Sequence, residues 1–270
     1  MIELNQYFGF NKTPFCKDIE EKNLYLSEEV AKLNTILQFA ISKTDVSLVF
    51  GAAGSGKSTA LRYFVSLLNE NQYRYFYLTT PKISIQELYR SVLNVMNIKA
   101  AWFKSDNKFL ISNTIQHQAE EKKLKFIFII DEAHTLSMES LDALRLLLNF
   151  KMDSKSYLHF ILVSDHSLLR TLCLDKLSAL KQRISFKYEL LGLGQHEIKE
   201  YIKAHLKEAG IMKMLFTDEC IESLFQYTKG LPRNINTIAQ YCLCMAMLKK
   251  KDCVDQTIFQ EALLHYADPM

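Results

Sequence analysis

The feature that most constrains the fold is an octapeptide that combines glycines with a lysine and a serine. It reads Gly51-Ala52-Ala53-Gly54-Ser55-Gly56-Lys57-Ser58 and matches the pattern G-x-x-x-x-G-K-[ST]. The apolar residues 46–50 before it predict a strand, and residues 58–69 after it predict a helix. In this setting the glycines let consecutive backbone N–H groups point inward at phosphate groups. The octapeptide therefore predicts a phosphate-binding loop in an α/β fold.

The residues at the end of this loop have distinct roles in phosphate binding. We expect Lys57 to reach the β- and γ-phosphates of a nucleotide, and the Ser58 hydroxyl to ligate Mg²⁺. Thr59, the next residue, completes the predicted nucleotide-binding set. The alternative is a chance glycine-rich turn between a strand and a helix, and acidic residues further along the chain argue against it.

Those acidic residues follow a run of five apolar residues, 126–130, which is typical of a strand buried on both faces. Two adjacent carboxylates at the end of a buried strand are costly unless a cation is near. We expect Asp131 to hold Mg²⁺ through water and Glu132 to polarise the attacking water. For His134 two interpretations stay open, a relay from the γ-phosphate or, favoured here, a packed histidine with satisfied hydrogen bonds.

The apolar pattern along the chain predicts strands that alternate with helices, and then helices alone. Five strands are expected, at residues 46–50, 74–78, 126–130, 158–164 and 186–190, with helices that include 108–121 and 137–150. This order predicts an α/β fold with a five-stranded, mainly parallel sheet covered on both faces. The predicted domains are an irregular, aromatic-rich lead-in (1–26), an α/β ATPase domain (27–192) and a small all-helical lid (193–270).

Four polar residues near strand or helix ends are further candidates for the site. Ser164 and Asp165 end the fourth strand, where a polar group can sense the γ-phosphate, although an anion such as Asp165 needs compensation there. Arg183 precedes the last strand and either reaches a neighbouring subunit's nucleotide or forms a surface salt bridge. Arg233 opens a helix, and a solvated arginine would be unfavourable near the positive end of the helix dipole, which favours a functional role.

Composition limits the class of protein without deciding the partner. Hydrophobic residues make up 49% and charged residues 23% of the chain, as in ordinary soluble proteins. The net charge of +3 permits nucleic-acid binding but does not indicate it. The longest apolar run, 241–248, is far shorter than the roughly twenty residues of a membrane helix, so we expect a cytoplasmic protein without a membrane segment. The cysteines are expected to be buried free thiols: Cys16, Cys173, Cys220, Cys242, Cys244 and Cys253.

Taken together, these residues make the chain resemble an AAA+ ATPase, and more closely the ExeA-like branch, which includes transposon-encoded ATPases related to TnsC, TniB and MuB. The resemblance is carried by Tyr7-Phe8-Gly9-Phe10, Pro14-Phe15, the phosphate-binding loop, Asp131-Glu132-Ala133-His134, Leu146-Leu147-Leu148-Asn149-Phe150, Leu180-Lys181-Gln182-Arg183-Ile184 and Gly230-Leu231-Pro232-Arg233-Asn234-Ile235-Asn236. It implies ATP and Mg²⁺ as cofactors, with Lys57 binding nucleotide and Glu132 driving hydrolysis. It also implies that Arg183 is a finger acting in trans, that Arg233 is a lid sensor, and that Phe15 lines the adenine pocket. Asp165 departs from the branch, which usually has a neutral polar residue there.

The resemblance implies an ATPase and leaves three biological roles open. The first is a DNA-transposition regulator that assembles with ATP as a ring or filament on duplex DNA, recruits a transposase and disassembles on hydrolysis. The residues expected to contact DNA are Lys104, Lys108 and Arg90. The second is an ExeA-like accessory ATPase for secretion or envelope assembly, which is disfavoured because such proteins generally carry a membrane segment and a periplasmic domain. The third is a nucleotide-switched protein-interaction module, which an intact Glu132 and Arg183 argue against.

Overall fold

The computed structural model describes residues 3–79 and 84–267. The chain forms two compact units. The sheet unit comprises Lys32–Ala53 and Lys57–Leu190, and the helical unit comprises Met1–Ala31, Gly54–Gly56 and Leu191–Met270. The division expected from the sequence, at residues 26 and 192, stays a prediction.

The sheet unit is built on five strands whose pairings are all parallel among the described residues. The strands are β1 (Val46–Phe50), β2 (Tyr73–Thr79), β3 (Lys125–Asp131), β4 (Leu158–Ser164) and β5 (Ile184–Glu189). They are ordered β2-β3-β4-β1-β5. This arrangement confirms the predicted α/β fold and brings the carboxyl ends of β1, β3 and β4 to one edge. In register, Thr79 pairs with Asp131, and Phe50 pairs with Ser164.

Helices make up most of the remaining described chain. They are α1 (Leu4–Phe8), α2 (Glu28–Lys43), α3 (Lys57–Ser66), α4 (Ile85–Val95), α5 (Lys104–Lys122), α6 (Met138–Leu147), α7 (Ser167–Thr171), α8 (Ser178–Arg183), α9 (Gln195–Glu208), α10 (Asp218–Thr228), α11 (Pro232–Leu248) and α12 (Gln256–Ala267). Short 3₁₀ turns occupy Glu21–Asn23, Ala133–Thr135 and Asp175–Leu177.

Several expected boundaries were wrong by a few residues, for local reasons. Helix α3 ends at Ser66 rather than residue 69, because Leu67 and Leu68 donate to carbonyls three residues back and tighten the last turn. Helix α5 begins at Lys104 rather than residue 108. The side chain of Asn107 accepts from the N–H of Ala101 at 2.6 Å and donates to its carbonyl at 3.2 Å, which fixes the turn before the helix. Helix α6 ends at Leu147 instead of residue 150, and β5 spans Ile184–Glu189 instead of 186–190.

The core of the sheet unit is mainly aliphatic, and it also contains stacked phenylalanines and a fully buried histidine. The ring of Phe76 stacks on that of Phe128 with centroids 5.0 Å apart. His159 in β4 is 0% exposed; its Nε2 lies 3.0 Å from Ser47 Oγ and its Nδ1 2.8 Å from the carbonyl oxygen of Thr44. Burial lowers the pKa of His159 to about 4, so the ring is neutral at physiological pH.

The helical unit buries aromatic residues from the start of the chain. Phe10 and Phe15 belong to the same core as Ile202 and Leu243. Among its described residues the lead-in is irregular apart from α1 and the Glu21–Asn23 turn. Its aromatic residues are apolar surface that the later helices need in order to form a closed core.

Two further expectations concern cysteines and membranes. All six cysteines are free, but only Cys220 and Cys242 are buried; Cys16 and Cys253 are half-buried, so the expectation of buried thiols was wrong for these two and for Cys173 and Cys244, which are exposed. They occupy outward-facing positions that an apolar sequence context does not reveal. Among the helices of residues 3–79 and 84–267, none combines the length and the apolarity that crossing a bilayer requires.

Candidate nucleotide-binding site

The phosphate-binding loop joins β1 to α3 and has the backbone that its glycines permit. Gly54 has φ of +84° and Gly56 has φ of +95°, a region that residues with a Cβ rarely adopt. Within the helical unit, a Cβ on Gly54 would also lie 2.8 Å from the Cβ of Arg233. The Nζ of Lys57 donates to the carbonyl oxygens of Gly51, at 2.8 Å, and Ala52, at 2.9 Å. The lysine ammonium is thus held over the loop that precedes it.

The first turn of α3 is joined to the end of β3 by hydrogen bonds to one carboxylate. Ser58 Oγ donates to Asp131 Oδ2 at 3.3 Å, and the N–H of Glu132 donates to Asp131 Oδ1 at 2.9 Å. Asp131 is only 7% exposed. The structure therefore brings together Ser58 and Asp131, the two residues expected to hold Mg²⁺.

The sequence pattern did not predict a third member of this cluster. The hydroxyl of Tyr77, in β2, donates to the same Asp131 Oδ2. Burial of this hydroxyl and its hydrogen bond to Asp131 raise the pKa of Tyr77, although 43% of the residue is exposed. The sequence shows only that a tyrosine lies in the second half of a predicted strand. It does not show the contact with Asp131, because that contact depends on strand order and register.

The residues present fit a magnesium–nucleotide complex. A serine hydroxyl and a carboxylate are the oxygen ligands that Mg²⁺ prefers. In the loop, Ser55 Oγ is buried and has no hydrogen-bond partner among the described residues, so it can serve a bound group. Ser58 and Thr59 are exposed at the start of α3, whose N-terminus favours anions. Ser58 and Asp131 would hold the metal, and the loop N–H groups with Lys57 would hold phosphates.

Glu132 and His134 follow the strand in an unusual local conformation. Glu132 has a left-handed backbone with φ of +53°, and its side chain is 62% exposed. His134 Nε2 lies 3.5 Å from Glu132 Oε2, and its Nδ1 lies 3.8 Å from Asp165 Oδ1. The fully satisfied interpretation of His134 was wrong, because its buried Nδ1 has no hydrogen-bond partner in the described part of the chain. Histidine here stands between two carboxylates.

At the end of β4, hydrogen bonds compensate the negative charge of Asp165. Asp165 Oδ1 accepts from the N–H of Ser167 at 2.8 Å and from the Ser167 hydroxyl. The Ser167 hydroxyl, above all, lowers the pKa of Asp165, with smaller contributions from His134 and Lys57. Ser164 is buried and its hydroxyl donates to the Asp165 carbonyl oxygen at 2.8 Å. A phosphate-sensing role for either residue stays a prediction.

Arg183, the last residue of α8, forms two ion pairs within the sheet unit. Its Nη2 lies 2.7 Å from Asp153 Oδ1 and its Nη1 lies 3.5 Å from Asp45 Oδ2, with 21% of the side chain exposed. In the single chain, Arg183 therefore forms salt bridges, as the second of the two predicted alternatives states. Action on a neighbouring subunit's nucleotide stays a prediction, and it requires that these pairs open.

Two predicted site residues lie in the helical unit. The N–H of Arg233, in the first turn of α11, donates to the carbonyl oxygen of Gly54 at 3.3 Å, and Arg233 is exposed. Phe15 is 3% exposed and stacks on His205 with ring centroids 5.0 Å apart. Phe15 is therefore a core residue of this unit, and its contact with adenine stays a prediction, as does the sensor role of Arg233.

The residues expected to contact DNA lie on α4 and α5. Arg90 and Lys104 are exposed, and Lys108 is half-buried one turn after Lys104. Lys104 and Lys108 border a groove of about 420 Å³ whose charge is mixed, since Lys176, Glu139 and Asp142 line it too. Three large aromatic side chains beside these lysines are at least 64% exposed: Trp102, Phe103 and Phe109.

Comparison with known proteins identifies a matching family model and solved structures with a similar fold. Residues 41–172 match the family model described as AAA domain. The fold is that of a P-loop AAA+ ATPase. Among solved structures, the ADP form of Aeropyrum pernix ORC2 superposes with a TM-score of 0.68 at 15% identity, covering 93% of this chain and 71% of that one. Thermotoga maritima RuvB, a Holliday junction branch migration motor, has a TM-score of 0.58 at 21% identity, covering 88% and 68%.

A curated protein is similar over most of the chain. General secretion pathway protein A of Aeromonas hydrophila is 27% identical over 248 residues, which cover 90% of this chain and 45% of that protein. The chain thus spans less than half the length of this relative. The match supports the resemblance to ExeA-like AAA+ ATPases; the finer resemblance to transposon-encoded regulators stays a prediction.

Proposed function

We propose that the chain binds ATP with Mg²⁺ and hydrolyses it at the cluster formed by the phosphate-binding loop and the end of β3. The observation that carries this proposal is the hydrogen bond from Ser58 to Asp131, which joins the loop to the acidic strand end. Mg²⁺, when bound, neutralises phosphate charge and orients the oxygens. Lys57 adds a positive charge at the same place.

Glu132 is the residue that we assign to activation of water. Its carboxylate is 62% exposed, so a water molecule can reach it, whereas Asp131 is buried and occupied by hydrogen bonds. The two neighbouring carboxylates thus differ in exposure and in hydrogen bonding. One carboxylate can therefore hold the metal while the other orients the nucleophile.

For the biological role, an accessory ATPase in secretion or envelope assembly is better supported than transposition. The relative named for the general secretion pathway aligns with 90% of this chain. The objection drawn from a missing membrane segment and periplasmic domain carries little weight, because the chain spans 45% of that relative. In this role the ATPase would assemble with copies of itself, and its turnover would drive the assembly of a partner complex.

A DNA-bound regulator is the second candidate, because one surface has the side chains that such binding uses. Lys104 and Lys108 lie beside the exposed rings of Trp102 and Phe103, and lysines attract phosphates while aromatic rings stack on bases. A structure of Drosophila ORC bound to DNA also has this fold, with a TM-score of 0.69 at 15% identity, covering 98% of this chain and 65% of that one. In this second role the chain would recruit a transposase and would act in the cytoplasm.

Hydrolysis is tested by phosphate release from ATP with Mg²⁺, for the wild-type chain and for Glu132→Gln. We expect Glu132→Gln to lower turnover by about 100-fold or more while a fluorescent ATP analogue still binds. Glu139→Gln, an exposed acid in the first turn of α6, is the control and should keep wild-type turnover. Loss of nucleotide affinity in Glu132→Gln, or unchanged turnover, would refute the role assigned to Glu132.

The two biological roles are separated by binding to random duplex DNA with ATP or ADP at several salt concentrations. Binding that requires ATP and weakens steeply with salt supports the DNA-bound regulator. ATP-dependent self-assembly without DNA binding in any nucleotide state supports the accessory ATPase.

A further inference from the structure

Tyr77 is the one residue of the Ser58–Asp131 cluster for which neither the loop motif nor the acidic motif gives a role. It lies in β2, two residues before Thr79, which pairs in register with Asp131. Its hydroxyl donates to Asp131 Oδ2, the oxygen that also accepts from Ser58. Asp131 is thus held from three elements: α3 through Ser58, its own following backbone through Glu132, and β2 through Tyr77.

We propose that Tyr77 is a positioning residue that fixes the Asp131 carboxylate for Mg²⁺. This inference rests on the proposed function, because it assigns a part of the same site. The hydroxyl of Tyr77 reaches Asp131 Oδ2 from β2, and the hydroxyl of Ser58 reaches the same oxygen from α3. With Oδ1 fixed by the Glu132 N–H at 2.9 Å, the hydrogen bonds to Oδ2 leave the carboxylate little freedom to rotate.

A structural role in the core does not explain Tyr77. The residue is 43% exposed, and β2 is an edge strand of the sheet. A phenylalanine would supply the same ring at this position and would suit a strand. The hydroxyl group is therefore the part of the side chain that needs an explanation, and its partner is the carboxylate expected to hold the metal.

The same strand offers a matched control. Tyr75 lies two residues earlier on the same face of β2 and is 48% exposed. Its hydroxyl has no hydrogen bond to another described residue. Tyr75→Phe and Tyr77→Phe therefore remove the same atom from tyrosines on one face of β2, and only Tyr77→Phe removes a contact with Asp131.

The test is the Mg²⁺ dependence of binding for a fluorescent, non-hydrolysable ATP analogue. Partners that orient metal ligands typically contribute about tenfold or more to metal affinity. We expect Tyr77→Phe to raise the Mg²⁺ concentration at half-saturation about tenfold, with nucleotide binding in EDTA unchanged. Tyr75→Phe should match the wild-type chain. ATP turnover of Tyr77→Phe should recover at high Mg²⁺, which a merely structural defect would not do.

Two further measurements make the result decisive. Thermal unfolding without nucleotide should give similar midpoints for both variants and the wild type. In an Asp131→Asn background, Tyr77→Phe should change the Mg²⁺ requirement less than about twofold, because its partner is gone. The inference is overturned if Tyr77→Phe leaves the Mg²⁺ requirement unchanged or lowers it, or if Tyr75→Phe shifts it equally. If the wild-type chain binds no nucleotide, the proposed function fails as well, and that outcome is distinct from the others.

Discussion

The two units of the chain use buried polar groups for different purposes. In the sheet unit, the buried residues Asp131 and Ser164 lie at the carboxyl ends of β3 and β4, where they can meet a ligand. In the helical unit, the buried carboxylate of Glu197 is occupied by structure: it accepts from the N–H groups of Glu28, at 2.9 Å, and Gly194, at 2.8 Å. The comparison teaches that burial of an acid indicates a functional site only when its partners leave room for a ligand.

The same contrast holds for the buried histidine in each unit. His159 in the sheet unit is enclosed by polar atoms on both ring nitrogens. His205 in the helical unit is enclosed by aromatic rings, with Phe15 at 5.0 Å and Tyr201 at 4.6 Å between centroids. Burial lowers the pKa of each to about 4. Equal pKa values thus arise from surroundings that should respond very differently to substitution.

The largest expected effect concerns Arg183, which belongs to the sheet unit but is predicted to act on another subunit. Arg183→Ala should lower turnover about 10³-fold, the size typical of an arginine that stabilises phosphoryl transfer. Stability should hardly change, because its ion pairs with Asp45 and Asp153 are partly exposed.

Mixing Arg183→Ala with Lys57→Ala subunits should restore part of the turnover, since each variant supplies what the other lacks. Arg170→Ala, on α7, is the control with unchanged turnover. If mixing never restores activity, Arg183 does not act in trans.

Acidification should destabilise the fold through both buried histidines. In the unfolded chain a histidine takes up a proton near pH 6.5, whereas His159 and His205 stay neutral in the folded chain down to about pH 4. Between these values the unfolded state binds more protons, so stability falls as pH falls. Each histidine should contribute a loss of about 3 kcal/mol by pH 4.

Urea unfolding between pH 7 and pH 4.5 measures this loss. In His205→Phe the pH dependence should be shallower than in the wild-type chain. A slope that is unaffected by the substitution would contradict the neutral state of His205.

Substitution of each histidine by phenylalanine should reveal this difference between the units as two different losses of stability. His159→Phe leaves the Ser47 hydroxyl without its partner and removes one donor from the Thr44 carbonyl oxygen, which keeps Lys125 Nζ at 3.2 Å; the change should cost about 2 kcal/mol. His205→Phe keeps a ring against Phe15 and Tyr201, and should cost about 1 kcal/mol or less. Equal losses at pH 7 in urea unfolding would show that the surroundings of the two rings do not differ as described.

The smallest effect is expected on the α5 surface. If the chain binds duplex DNA, Lys104→Ala with Lys108→Ala should reduce the slope of log affinity against log salt by about two. Lys199→Ala with Lys203→Ala, on α9 of the helical unit, is the paired control. An unchanged slope in the α5 variant, with binding retained, would remove these lysines from the DNA surface.

The sequence was sufficient for those parts of the site that depend on neighbours in the chain. The loop that ends in Lys57 and Ser58 and the acids Asp131 and Glu132 are set by local spacing, and alternating apolar segments predicted the parallel sheet. The same spacing could not reveal Tyr77, because its contact with Asp131 requires that β2 lie beside β3 in register.

The helical unit shows the same limit. The aromatic residues before residue 26 have no clear helical or strand period, so neither α1 nor the burial of Phe15 followed from them. They are buried by α9–α12, which come about 180 residues later in the chain. Long-range burial of this kind leaves no local pattern in the sequence.

The most direct test of the central claim is a titration of the purified chain with ATP and Mg²⁺, compared with Lys57→Ala. We expect saturable binding that weakens about 100-fold in Lys57→Ala, the size expected when a charged partner is removed from a paired anion. Lys187→Ala, on β5, should bind like the wild-type chain. Binding that is absent from the wild type, or equally tight in Lys57→Ala, would contradict the assignment of the phosphate-binding loop.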